Sequence, residues 1–410
     1  MLLLHLMAAL CPERIRAIYI NHQLQQQNAA WGEFVQAQAE KLAVPCIVEK
    51  VQVQSGNLEQ QAREARYHAF QKHRLDHEIL VLAHHQQDQA ETVLLRLFSG
   101  SGVQGLSAMK QFDIREQLSI WRPLLNLSRE QIVAWTEDLN IPYVTDPTNT
   151  DTHYDRAWCR EVLWPVIHQR FPKMQQAISR TSQLMQDADE ILAEVLVEDW
   201  VQCGDANILQ LDALQQLSQA RQRQLLSAWM KGEGQYRPSL AMVERLQQEV
   251  IHAQIDRQAA LHSDGYYYVR YQQRLFRLPK DVYLAQAQIP ETQSLSLELD
   301  QTLDVAAGQF KIQAVAKKGL STVLLGQSLT LTPRQGGEKI HLYGRVGHWP
   351  LKKAINDAKI YPWQRHTIQI LSIDNVMLGV FTPQGFWLAD SSYCVDAGWL
   401  PNLVSEFTSI

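Results

Sequence analysis

The sequence predicts an α/β protein: an open, doubly wound parallel sheet at the amino-terminal end, then a helical middle domain and a small α+β domain at the carboxyl-terminal end. Three observations predict this. Strand-like and helix-like segments alternate from Ile15 to Leu139, the strand signal fades after about Arg170 in favour of amphipathic helices, and short strands return from about Gly308. The expected domains are residues 1–185, 186–285 and 286–410.

Arg16 to Ile20 reads as the first strand, followed by a helix with Trp31, Phe34, Val35, Ala39 and Leu42 on one side and a strand from Cys46 to Val53. The next helix, Leu58 to His73, turns Leu58, Ala62, Ala65 and Ala69 toward the sheet. The run Ile79-Leu80-Val81-Leu82-Ala83 is a strand that stops abruptly at His84 and passes into a helix with Ala90, Val93, Leu94 and Leu97 on its core-directed stripe. An apolar segment at Leu118 to Leu125 and a helix from Ser128 to Leu139 complete the alternation. Ile178 to Trp200, Leu211 to Met230 and Ser239 to Ala253 read as helices, and Tyr266 to Val269 with Leu275 to Leu278 as a strand pair. One further helix is expected at Leu351 to Ala358.

Ligands of such sheets bind beyond the carboxyl ends of the strands, which directs attention to His84 through Glu91. Asp88 and Glu91 stand three apart and share a helix face beside His84 and His85. Two carboxylates and two imidazoles suit Mg²⁺ and a phosphate ester, or a general base. A solvated helix start, whose acids complement the helix dipole, fits the spacing equally well. Arg63 and Arg66 are also three apart and suit phosphate, although Glu59, four residues before Arg63, makes an exposed ion-paired face the plainer reading. In the last domain, Arg334, Lys339, Arg345, Lys352, Lys353, Lys359 and Arg365 are interleaved with Tyr343, Trp349, Tyr361 and Trp363, a composition that fits RNA through phosphate pairing and base stacking.

Composition narrows the class. Of 410 residues 46% are hydrophobic and 20% charged, as expected of a globular chain with a large core. The five cysteines are scattered without a Cys-x-x-Cys pair, which argues for a reducing compartment and against structural zinc. No apolar run approaches the roughly 18 residues needed to span a bilayer, and Met1 to Leu10 lacks a basic leader, so a cytoplasmic protein without a membrane partner is expected. With a net charge of -5, any polyanion must be met by local basic patches.

Taken together, the motifs resemble the tRNA(Ile)-lysidine synthetases, within the N-type ATP pyrophosphatase superfamily. The resemblance runs through Asn21-His22-Gln23-Leu24, Gln61-Ala62-Arg63-Glu64-Ala65-Arg66-Tyr67, His84 to Thr92, Gly100 to Leu106 and Arg122-Pro123-Leu124-Leu125. It continues through Asp146 to Asp151, Tyr154-Asp155-Arg156, Arg160, Gly344-Arg345, Leu351-Lys352-Lys353 and Pro362-Trp363-Gln364-Arg365. The family's phosphate loop, Ser-Gly-Gly-x-Asp-Ser, is absent, and Met1 to Leu6 resembles the helix that follows it. The resemblance therefore implies an adenine nucleotide alpha hydrolase-like sheet lacking its first, central strand, with two unpaired edges and an apolar slot between them. A Met1 that is an internal methionine of a longer chain is the expected explanation. The chain also departs at Gln87, where the family usually has a second acid, at Ser99, where it has arginine, and at Ala157, where it has asparagine.

The resemblance implies ATP-dependent ligation of L-lysine to the first anticodon cytidine of an isoleucine tRNA with a CAU anticodon, through an adenylated base. It implies ATP and Mg²⁺ as cofactors, with Asp88 as the candidate metal ligand. His84, Asp88 and Glu91 fall on the metal, lysine and cytidine side, Arg63 and Arg66 on phosphate or cytidine, and His22, Arg156 and Arg160 in the same cleft. Arg345, Lys352, Lys353 and Arg365 fall on tRNA. The oligomeric state is left open, a homodimer being the one considered. The alternatives are a non-catalytic RNA-binding remnant, if Met1 is the true start, and another ATP-pyrophosphatase tRNA modifier such as a thiolating enzyme, which would typically use a cysteine pair.

Overall fold

The computed structural model describes residues 1–25, 27–54, 58–115, 117–234, 237–254 and 259–406, which form two compact units, Met1–Val195 and Leu196–Ile410. In the first unit α1 (Leu2–Leu10) precedes β1 (Ala17–Asn21), α2 (Asn28–Lys41), β2 (Cys46–Lys50), α3 (Leu58–His73), β3 (Ile79–Val81) and α4 (Gln86–Phe98). Then come α5 (Val103–Leu106), β4 (Phe112–Arg115), β5 (Leu118–Trp121), α6 (Arg129–Asp138) and α7 (Asp155–Trp158). α7 runs through a π-helical turn, Cys159–Leu163, into α8 (Trp164–Arg170), and α9 (Met174–Cys203) follows.

The strand–helix alternation builds parallel pairs as expected. β1 lies parallel to β2, with Ala17 opposite Cys46 and Asn21 opposite Lys50. β3 lies parallel to β5, with Ile79 opposite Ser119 and Val81 opposite Trp121. Among the described residues β1 and β3 each pair on one side only, so the sheet is in two pieces with open edges. Ala8, Ala39 and Val44 close the core beside β1 and β2, while Tyr67, Leu118 and Ile120 close the one beneath β3 and β5.

Two details correct the sequence reading. β4 pairs antiparallel with β5, where a single apolar segment was expected. Its apolar residues face outward, Phe112 and Ile114 being 65% and 77% exposed, although their alternation with Asp113 and Arg115 over four residues is that of a strand. On α4, Ala90 and Val93 are buried as expected but Leu97 is 52% exposed, whereas Gln87, Gln89, Glu91 and Thr92 are buried. The first two turns of α4 are enclosed on nearly all sides and the last turn is not. Neither a single core stripe nor a solvated start describes this helix.

In the second unit β6 (Ile208–Gln210), α10 (Leu211–Gln216), α11 (Gln219–Lys231), α12 (Leu240–Arg245), β7 (Ala260–Ser263), β8 (Tyr266–Tyr271) and β9 (Arg274–Pro279) surround Trp229, Leu225, Leu246, Val250 and Tyr268. The helix expected from Leu211 to Met230 is split, because the Ser218 hydroxyl accepts from the Arg221 amide and starts α11 afresh. The strand pair is in fact a four-stranded sheet of order β6-β9-β8-β7. After α13 (Lys280–Ala285) the chain becomes β-rich. One five-stranded sheet contains Leu329–Pro333, Gln369–Ile373 and Val376–Thr382, and the other contains Gly308–Ala314 and Trp399–Glu406. Both contribute to one core in which Phe310 meets Phe381 edge-on at 4.9 Å. The expected helix is present as α14 (Leu351–Asp357), but strands dominate far more than an α+β reading implied. Among the described residues no helix is long and apolar enough to cross a membrane.

Phe310 has no exposure, and Phe310→Ala should lower the unfolding free energy by about 3–5 kcal/mol through lost transfer energy and a residual cavity. A reduced urea midpoint for the carboxyl-terminal transition checks this.

Candidate active site

The candidate site lies where β3 ends and α4 begins. His85 is the residue before the helix, and its Nδ1 accepts from the Gln87 amide at 3.2 Å while the Asp88 carboxylate accepts from the His85 amide at 3.0 Å. This reciprocal cap satisfies amides that a helix start leaves unpaired, and it places Asp88 at the rim, partly exposed, with His85 Nε2 3.4 Å away.

Glu91 has a different environment. Its side chain has no exposure, and both oxygens are held by Arg160, with Nε to Oε1 at 3.0 Å and Nη2 to Oε2 at 2.9 Å. Burial works against the Arg160 charge, but the Glu91 hydrogen bonds and charge more than offset it, so the guanidinium pKa sits above its usual value. The adjoining Arg156 donates to Thr92 Oγ1 at 3.4 Å, and Thr92 in turn donates to the Asp88 carbonyl at 2.8 Å. The segment from Asp155 to Leu163 is thus stapled to one face of α4.

Arg63, Arg66, Arg115, Arg122 and Arg156 gather around this edge. Burial, followed by repulsion from Arg115, Arg66 and Arg156, lowers the Arg63 pKa against the opposing influence of Tyr67. Arg63 and Arg115 both lie over the buried Tyr67 ring, at 5.3 and 4.3 Å, which spreads part of that repulsion onto a π face. Arg63 and Arg66 are half-buried, so α3 does not present them as a solvated face. Crowded like charges of this kind favour an anion.

Burial, reinforced by Arg122, Arg156 and Arg66 and opposed by Asp88, pulls the His84 pKa down to about 4. His22, on the loop after β1, is also lowered, first by burial and then by Arg66. Both imidazoles are therefore neutral at pH 7, and each has an Nδ1 without a partner among the described residues. They line one end of a cavity of about 540 Å³ between β1 and β3, whose walls include Ile18, Ile20, Tyr67, Phe70 and Leu82, with Arg66 and Asp146 at the polar end. Asp146 went unmarked in the sequence reading as a site residue; its negative charge, after burial, helps to raise the Tyr19 pKa.

The remaining motif residues serve structure. Arg96 donates to the carbonyls of Gly105 and Ala108, fixing the glycine-containing turn, and a Cβ on Gly105 would lie 2.3 Å from that of Ser101. Gln87 and Ala157 are buried, and Ser99 Oγ donates to the Leu95 carbonyl. Among the described residues no group of three His, Cys, Asp or Glu side chains is suited to a metal ion. Asp88 offers one carboxylate, which suits an Mg²⁺ ion that keeps most of its shell from nucleotide phosphates and water.

In the second unit the basic cluster divides. Arg345 and Lys353 flank Trp349 at 5.4 and 4.6 Å, and Lys352 is exposed beside them. Trp363, by contrast, stacks on Tyr361 at 5.0 Å within a buried aromatic group, and Arg365 donates to the Ile360 carbonyl at 3.0 Å. The composition that fits base stacking is narrowed by the structure: Trp363 is 2% exposed, stacked on Tyr361 and met edge-on by Phe276, so it is chiefly a packing residue.

Three family models match separate stretches of the chain. The PP-loop domain model matches residues 1–167, the TilS substrate binding domain residues 209–276, and the TilS substrate C-terminal domain residues 329–392. The tRNA(Ile)-lysidine synthase of Acinetobacter baylyi is 62% identical over 407 residues, covering 99% of this chain and 88% of its own length. That of Alkalilimnicola ehrlichii is 36% identical, covering 90% and 84%. Among solved structures, the U34-tRNA thiolase NcsA from Methanococcus maripaludis aligns with 45% of this chain and 67% of its own, at 13% identity and a TM-score of 0.37.

Two outcomes follow from the geometry. Arg160→Ala strands a buried carboxylate and should cost about 3–5 kcal/mol, measured by chemical denaturation. A His pKa lowered on folding contributes stability that is present above its unfolded value of 6.5 and lost as pH falls toward the folded value of about 4. His84 should thus account for a loss on the order of 3 kcal/mol between pH 6.5 and 4, and His84→Asn should flatten that acid limb in pH-dependent unfolding.

Proposed function

The chain belongs to the tRNA(Ile)-lysidine synthase family, and from that premise we propose how its residues carry out the reaction. The enzyme is a ligase that uses ATP to form lysidine on an isoleucine tRNA. We assign L-lysine as the amine donor and the first anticodon cytidine, adenylated at its 2-oxo group, as the acceptor. The lysine ammonium passes a proton to the Asp88 carboxylate, the free amine attacks the activated ring carbon, and AMP departs with the electrons of the broken C–O bond.

The supporting observation is the convergence of Arg66, Arg122 and Arg156 on His84 at the end of β3, with Arg63 beside Arg66 and Arg156. Guanidiniums aimed at a departing phosphate stabilise charge where it accumulates. Asp88, at the partly exposed rim, draws the lysine ammonium toward the base. His84 and His22, both neutral, accept or donate hydrogen bonds to the cytidine and do not store a proton. Glu91 acts through Arg160 as a positioning residue, holding α4 and Arg156 in register. Mg²⁺, where bound, is held by Asp88 and neutralises triphosphate charge. Residues 1–185 carry this chemistry, residues 186–285 position the tRNA, and the final domain grips it through Arg345, Lys352 and Lys353, with Arg365 on the adjoining surface.

Asp88→Asn should lower labelled-lysine incorporation into an isoleucine tRNA transcript by about 10²–10³-fold while leaving tRNA affinity unchanged. Full turnover by the variant removes Asp88 from the site, and tRNA binding by the wild-type chain without any incorporation makes it a binder and not an enzyme. Lys352→Ala with Lys353→Ala should weaken tRNA binding and reduce the slope of log K against log salt by about 1 to 2. An unchanged slope takes the pair out of the interface.

A further inference from the structure

In the second unit, a cavity of about 510 Å³ is walled by Tyr271, Tyr283, Gln286, Asn356, Trp363 and Arg365 among others. Its size falls in the range of about 300–1,000 Å³ typical of small-molecule pockets. Resting on the functional reading above, we propose that this cavity receives one unstacked base of the tRNA substrate.

The wall is built and rigid. Trp363 is 2% exposed and is held by stacking on Tyr361, with edge contacts to Phe276 at 4.8 Å and Tyr271 at 6.3 Å. Its Nε1 has no acceptor among the described residues. Buried donors are normally paired, and a base edge, rich in carbonyl and ring-nitrogen acceptors, is a suitable partner. Arg365 is anchored to the Ile360 carbonyl and lies 3.5 Å from the Tyr271 hydroxyl, so both of these partners are neutral and its charge is left for a phosphate. Gln286 and Asn356 bring amides, which read base edges through paired donor and acceptor groups. Asn356 lies on α14 four residues after Lys352, so the cavity opens on the helix face that carries part of the basic pair. A strand gripped there by its phosphates can turn a base inward over a short distance.

The test uses the full chain and an isoleucine tRNA transcript. Ultraviolet cross-linking followed by mass spectrometry should place a nucleotide on the peptides containing Tyr271, Tyr283 or Trp363. Trp363→Phe, which removes the donor along with part of a buried ring, and Asn356→Leu, at an exposed helix position, should each weaken tRNA binding about fivefold, the second at unchanged melting temperature. Should Trp363→Phe fail to fold, Asn356→Leu and the cross-link still decide. Wild-type affinity in the variants, or cross-links that map wholly elsewhere, while Lys352→Ala with Lys353→Ala loses affinity, would overturn the cavity assignment alone. Absence of tRNA binding by the wild-type chain overturns the functional reading and this inference together.

Discussion

The buried pair of Glu91 and Arg160 is the constraint on which the amino-terminal site depends. A carboxylate with no exposure is tolerated only when its charge and lone pairs are met, and the two-pronged guanidinium meets both oxygens at once. The pair fastens α4 to the segment after α7, and Arg156, four residues before Arg160, is thereby carried to Thr92 and the rim of the site. The second unit uses the same solution where Arg221 Nε reaches the buried Asp199 at 2.9 Å and joins α11 to α9.

Around that fixed frame the electrostatics are deliberately unbalanced. Guanidiniums from α3, β4 and α7 crowd one edge, and burial keeps the two imidazoles among them neutral. Added positive charge there would deepen the repulsion, so neutrality of His22 and His84 is what the arginines and the low-dielectric wall jointly impose. An anion relieves the crowding. The hydrogen bonds by which His85 and Asp88 close the start of α4 also orient the Asp88 carboxylate at the rim.

In the second unit, packing and recognition compete for the same residue types. Trp363 and Tyr361 were grouped with Trp349 on composition, but Trp363 is buried with Tyr361 packed against it, while Trp349 lies between two cations. Aromatic content near basic residues is thus a weak guide, because a ring that would stack on a base also fills a core.

Periodicity and spacing in the chain itself determined the parallel β–α alternation, the abrupt end of the strand at His84, the helix at Leu351, and the ordered motifs that mark the family. These are local properties, written within a few residues of one another. Tertiary structure alone decided that Glu91 faces Arg160, 69 residues away, and not solvent. It also decided that Arg115 joins Arg63 over Tyr67, that β4 adds an antiparallel edge, and that the last domain closes as two sheets. Each outcome pairs groups far apart in sequence, and a carboxylate or a guanidinium at a given spacing looks the same before its distant partner is fixed by packing.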